Sequence, residues 1–123
     1  MKALTVLILV FCLTNSLAEY QYSTHYTSLD LESIFSNEKI MSNYMNCFLD
    51  KGSCTPEATE FKRDIAHALT TNCSDCSAEQ KKIMRKACSH IMKNTPEKWS
   101  MLVKKFDPDN KYTDAFIKFI NMD

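Results

Sequence analysis

Four cysteines within residues 47–76 constrain this chain more than any other feature. Six residues lie between Cys47 and Cys54, eighteen between Cys54 and Cys73, and two between Cys73 and Cys76. The two short spacings let a thiol reach its sequence neighbour without the chain returning from a distance. Four cysteines admit three connectivities and sequence alone does not select one. A helical pattern fills the long interval, however, and a crossed pairing would make it fold back on itself. The expectation is therefore Cys47 with Cys54 and Cys73 with Cys76. Each bridge would then staple a corner, contributing roughly 2 to 2.5 kcal/mol, and leave the core to apolar side chains.

Disulfides call for an oxidising compartment, and the start of the chain reads as a secretory leader. Lys2 supplies a positive end, Ala3 to Leu13 an apolar run of about ten residues, and Ser16-Leu17-Ala18 the small residues a signal peptidase reads. Cleavage is expected after Ala18. The run is far short of the roughly 20 apolar residues that span a bilayer, so the mature chain is expected to be soluble, with no stable membrane insertion. Removing 18 of 123 residues leaves 105 as one domain, residues 19–123. Lys2 and Cys12 leave with the leader, so 14 basic side chains face 15 acidic ones and five cysteines remain. That balance argues against nucleic acid or an anionic membrane as main partner, since both are held by an excess of Lys and Arg.

The mature chain reads as all-α, about six short helices. Residues 19–28 are polar, aromatic and without period, an extended arm. Asp30 caps a short helix through Ser36 that carries Leu31, Ile34 and Phe35. From Ser36 or Asn37 a second helix places Ile40, Met41, Tyr44, Met45, Phe48 and Leu49 at three- and four-residue steps and ends near Asp50. Gly52, the only glycine, follows where a helix commonly leaves through a left-handed residue. Thr55-Pro56-Glu57 is a strong helix start, with Ala58, Phe61, Ile65, Ala68 and Leu69 inward. Ser77-Ala78-Glu79-Gln80 reads as a capping box for a helix with Met84, Ala87, Cys88, Ile91 and Met92 inward and Lys81, Lys82, Arg85 and Lys86 outward. Thr95-Pro96-Glu97 repeats the earlier start signal, Trp99, Leu102, Val103 and Phe106 form a fifth stripe, and Asp107-Pro108 ends it. Tyr112, Phe116, Ile117, Phe119 and Ile120 suggest a short last helix after a turn.

Little in the chain points to catalysis. Cys73-x-x-Cys76 lacks the βαβ surrounding of a redox pair and the second ligand pair of a zinc site, so it reads as structural, with no metal. His25, His67 and His90 are scattered, without a nucleophile or carboxylate at catalytic spacing. No enzymatic activity and no cofactor are expected. Asn72-Cys73-Ser74 matches the glycosylation pattern, but its middle residue is expected in a bridge and the site is cramped. Cys88, the odd thiol, reads as a small buried hydrophobe, with a monomer the expected state and a dimer bridged through Cys88 as the alternative. What remains is soft apolar bulk: six Met, six Phe, five Tyr and one Trp in the mature 105 residues. Most of it is core, but flexible Met side chains also repack around ligands, and helical bundles place pockets between facing stripes.

The cysteine spacing, read with Asn43-Tyr44-Met45-Asn46-Cys47, Leu49-Asp50-Lys51-Gly52, Cys54-Thr55-Pro56-Glu57, Thr71-Asn72-Cys73 and Cys76-Ser77, closely resembles the insect chemosensory proteins, or OS-D family, over essentially the whole mature chain. The resemblance implies a secreted carrier whose six helices surround a hydrophobic channel. By position it places Tyr26, Tyr44 and Trp99 among pocket or channel-mouth aromatics, and Phe61, Ile65, Met84, Ala87 and Cys88 on inward faces of the third and fourth helices. Phe116 stands where relatives carry Tyr, Cys88 where an aliphatic is usual, and Ala58 where the motif has Gly. The implied ligand is a small hydrophobic molecule such as a fatty acid, long-chain alcohol, ester or aldehyde, or another semiochemical. The competing expectation is a secreted protein-interaction or developmental factor whose stripes are only core.

Overall fold

The computed structural model of the protein describes residues 20–22 and 29–122. The expected leader, His25 and Tyr26 lie outside the described residues. Six helices follow one another: α1 Leu31–Phe35, α2 Glu38–Phe48, α3 Pro56–Thr71, α4 Ala78–Asn94, α5 Pro96–Phe106 and α6 Thr113–Ile120. No strand occurs among the described residues. Local chemistry starts most of them. The Asp30 side chain accepts from Ser33 N–H, Asn37 from Ile40 N–H and Thr55 from Ala58 N–H ahead of Pro56. Ser77 and Gln80 form the reciprocal capping box.

The two disulfides are Cys47–Cys54 and Cys73–Cys76, each with Cα atoms 5.0 Å apart. The first closes the α2–α3 corner and the second the α3–α4 corner. At the first corner the left-handed residue is Asp50 (φ 58°), not Gly52. Glycine matters at 52 for room: a Cβ there would lie 3.1 Å from the Asn46 Cβ, tighter than ordinary contact. Lys105 and Lys62 both reach the exposed Asp50 carboxylate and hold it down to about 2, tying α5 and α3 to this corner. At the second corner Asn72, which tolerates the conformation well, ends α3 left-handed at φ 55°.

Packing then joins α2 to α3, α4 to α5 and α6, and α6 back to α3, with α1 leaning on α2. The core contains Met45 and Phe48 from α2, Phe61 and Ala68 from α3, Met84 and Ile91 from α4, Leu102 from α5 and Phe116 from α6. One start differs from the expectation. Thr95 does precede Pro96, yet its hydroxyl donates back to the Ile91 carbonyl (2.9 Å) and caps nothing ahead. No loop separates α4 from α5, so Thr95 closes one helix as it opens the other. α6 likewise lacks a cap from its own N-cap residue, Tyr112; Asp107 supplies the acceptors instead.

The described part of the arm is pinned to α3. The Tyr20 hydroxyl donates to the buried Asp64 carboxylate (2.6 Å) and accepts from Arg63 Nε (3.0 Å), and its ring stacks on His67 at 3.7 Å. Tyr22 donates to Asp75, which also contacts His67 Nε2 at 3.1 Å. Burial, the Asp64 hydrogen bond and the nearby carboxylate together raise the Tyr20 pKa.

Candidate functional site

The inward stripes do not close completely. Among the described residues two hollows, each about 30 Å³, have apolar walls. The first lies where α1 and α2 lean over α3 and α4, between Ile34, Phe35, Met41 and Tyr44 on one side and Phe61, Ala87 and Ile91 on the other. The second lies between α3, α4, α5 and α6, lined by Ile65, Cys88, Trp99, Leu102 and Phe116, and again by Ile91. Ile91 is the shared wall. The continuous channel implied by the resemblance is therefore divided here by side chains. Each hollow holds about the volume of one water molecule, well below the roughly 300 Å³ at which ligand pockets begin.

Seven of the nine site residues expected from the sequence reach these walls. Tyr44, Phe61 and Ala87 line the first hollow, and Ile65, Cys88, Trp99 and Phe116 the second. Met84 is fully buried but lines neither, packing in the core beside them. Tyr26 lies outside the described residues. The residues missed as lining, among them Phe35, Met41, Ile91 and Phe106, had a signal: they sit in the same three- and four-residue stripes. What the stripe does not reveal is which of its members face a gap and which face a neighbour.

Among the described residues three surface grooves reach the first hollow from outside, each through side chains that wall both. Tyr44 separates the hollow from a groove of about 280 Å³ with Asn43, Ser53 and Thr55 at its rim. Phe35 and Met41 separate it from one of about 600 Å³ between α2 and the α4–α5 junction. Leu29 and Leu31 separate it from a third of about 520 Å³ beside α4. Tyr44 is partly buried; desolvation, helped by the Glu57 carboxylate, raises its pKa, so it stays neutral at physiological pH. Its hydroxyl has no hydrogen-bond partner among the described residues, which leaves it available at the groove.

Cys88 is only 3% exposed, and burial pushes its thiol up to about 12. Cys88 is the free thiol among the described residues, and a bridge to a second chain through this sulfur would require the helices packed around it to open. Iodoacetamide should modify Cys88 on the order of 100-fold more slowly in the native protein than in urea, because the thiolate is the reactive form. Mass spectrometry of timed samples checks this; equal rates would place the thiol outside. Among the described residues no group of three or more His, Cys, Asp or Glu is arranged to hold a metal ion, and no helix is long and apolar enough to cross a membrane. The site offers mainly apolar walls, with Tyr44 and Trp99 the lining side chains that carry an O–H or N–H.

Comparison with known proteins places the chain by sequence and by fold. The profile of the insect pheromone-binding family, A10/OS-D, matches residues 22–114. The chain is 38% identical over 99 residues to ejaculatory bulb-specific protein 3 of Drosophila melanogaster, covering 80% of this chain and 79% of that protein. It is 35% identical over 95 residues to allergen Tha p 1 of Thaumetopoea pityocampa, covering 77% and 75% of the two chains. Among solved structures, a chemosensory protein in complex with bromo-dodecanol superposes with a TM-score of 0.71 at 28% identity, covering 80% of this chain and 98% of that one.

Proposed function

This chain belongs to the insect pheromone-binding family A10/OS-D, and on that premise we propose that it is a secreted, soluble carrier that shelters a small hydrophobic molecule between its helices. The reading rests on one observation: two hollows with apolar walls, sharing Ile91 in their lining, lie in a six-helix fold whose similar structure is a complex with a long-chain bromo-alcohol. Residues 1–18 act as the export leader in this reading, and the ligand is a long-chain alcohol, aldehyde, ester or fatty acid.

Loading requires side chains to move. A guest that displaces Ile91 joins the two hollows, and Met41, unbranched and flexible, yields at low cost. Affinity then comes from burial with few directed bonds. At roughly 0.8 kcal/mol per methylene, about ten methylenes match the 8 kcal/mol of micromolar binding, and association costs raise the requirement. Chains of about twelve to eighteen carbons fit that range. The Tyr44 hydroxyl, at a groove rimmed by uncharged polar side chains, suits a neutral head group, and Trp99 walls the far end.

Titration of the mature protein with a fluorescent fatty probe, followed by displacement with dodecan-1-ol, tests the proposal; saturable binding near micromolar is expected. Absence of saturation overturns it and favours a protein partner. Tyr44→Ala should weaken dodecan-1-ol binding about tenfold, through lost ring contact and a lost hydrogen bond, with a proportionally smaller fall in Tm. Proportional loss of both would make Tyr44 a core residue only.

A further inference from the structure

The three grooves that reach the first hollow differ in charge, and the difference selects a ligand class. The groove at Tyr44 has no charged side chain on its walls. The groove at Leu29 and Leu31 is balanced, with Lys82 and Lys86 against Asp30 and Glu79, and Lys86 is already paired with Glu32 at 2.8 Å. The groove at Phe35 and Met41 carries Lys39, Lys98 and His90 against one carboxylate, Glu38. Neither Lys39 nor Lys98 has an ion-pair partner among the described residues, whereas Lys62, Lys86 and Lys105 are each paired.

His90 adds a donor. The Asn94 amide nitrogen donates to His90 Nδ1 at 3.2 Å and to the His90 carbonyl at 3.0 Å. An amide N–H can only donate, so Nδ1 accepts and the neutral imidazole keeps its proton on Nε2. The same ring lies face to face on Phe35, with centroids 3.8 Å apart and planes 1° from parallel. Phe35 is thus a partition with a donor-bearing ring on its outer side and an apolar hollow on its inner side.

Resting on the carrier reading, we propose that this groove is a second mouth of the ligand site, built for a carboxylate. A long-chain fatty acid places its head between Lys39 and Lys98, beside His90, and its chain passes Phe35 and Met41 into the first hollow. Alcohols and aldehydes, which have no charge to neutralise, use the neutral mouth at Tyr44. The two mouths open on one interior, so acid and alcohol compete for the same apolar volume while their heads rest on different residues.

Isothermal titration of dodecanoate and dodecan-1-ol against the wild-type protein and the Lys39→Gln/Lys98→Gln double variant tests this. Dodecanoate should bind the variant about tenfold more weakly, the loss of one exposed and one half-buried charge contact, while dodecan-1-ol changes less than about twofold. Raising salt from about 20 to about 300 mM should weaken dodecanoate with the wild type and much less with the variant. If wild type binds dodecan-1-ol but dodecanoate affinity is unchanged by the substitutions, or both ligands fall together, the carboxylate mouth is wrong and the carrier reading stands. If neither ligand binds wild type, the carrier reading fails and this proposal with it.

Discussion

Asp107→Ala should lower the melting temperature by roughly 10 to 20 °C, the size of change expected when several hydrogen bonds to one interior carboxylate are lost from a domain of this length. Asp107 is 3% exposed and accepts from the backbone N–H groups of Lys111 (2.9 Å), Tyr112 (3.0 Å) and Thr113 (3.0 Å), and from the Thr113 hydroxyl. The first turn of any helix has N–H groups without intrahelical partners, and α6 has no cap of its own, so this carboxylate serves as one from six residues upstream. Alanine leaves the buried Thr113 groups unsatisfied. Because α6 carries Phe116 into the second hollow, its loosening should also degrade ligand binding.

The same residue predicts an acid response. Burial pushes the Asp107 pKa up, but hydrogen bonds from the Thr113 hydroxyl and three backbone amides outweigh it, and the folded value lies below the ordinary one. A depressed carboxylate stabilises the fold above its unfolded pKa, roughly 3.9, and that contribution is lost as pH falls through the folded value. The gap in melting temperature between wild type and Asp107→Ala should therefore be full at pH 7 and narrow as pH falls to about 3 and below. A variant melting within about 3 °C of wild type at pH 7 would remove the capping role.

Phe116→Ala is expected to cost about 3 to 5 kcal/mol, the range for deleting a buried phenyl ring. Phe116 is 1% exposed, 5.5 Å from the Phe119 ring, and its position on α6 faces α3, α4 and α5 across the second hollow. Truncation would enlarge a space that is already incompletely filled, so little relaxation offsets the lost contacts. Urea denaturation measures the change; a loss under about 1 kcal/mol would mean that the neighbours collapse onto the site. Saturating dodecan-1-ol should recover part of the lost stability, since a ligand that binds only the folded state stabilises it.

Helix starts at Asp30, Asn37, Thr55 and Ser77 were legible in the sequence because a cap and its partner lie three residues apart and need no third element. The inward stripes were legible for the same reason, since periodicity is a property of one helix. The disulfides joined sequence neighbours, where chain geometry favours short loops. Where partners are remote, the local signal misled. Thr95 repeats the Thr55 signal but bonds backwards, because another helix ends against it. Gly52 marked the right corner for the wrong reason, since Asp50 takes the left-handed conformation under two lysines from other helices.

From the sequence alone came the all-α class, the helix order, the short bridges and which faces turn inward, all consequences of interactions within a few residues. Only tertiary structure decided how far those faces meet. Two small hollows that share Ile91 in their walls, three grooves of unlike charge and a helix capped by Asp107 depend on where separate helices come to rest. Side-chain volumes and charges from four or five segments sum there, and no single segment carries that sum.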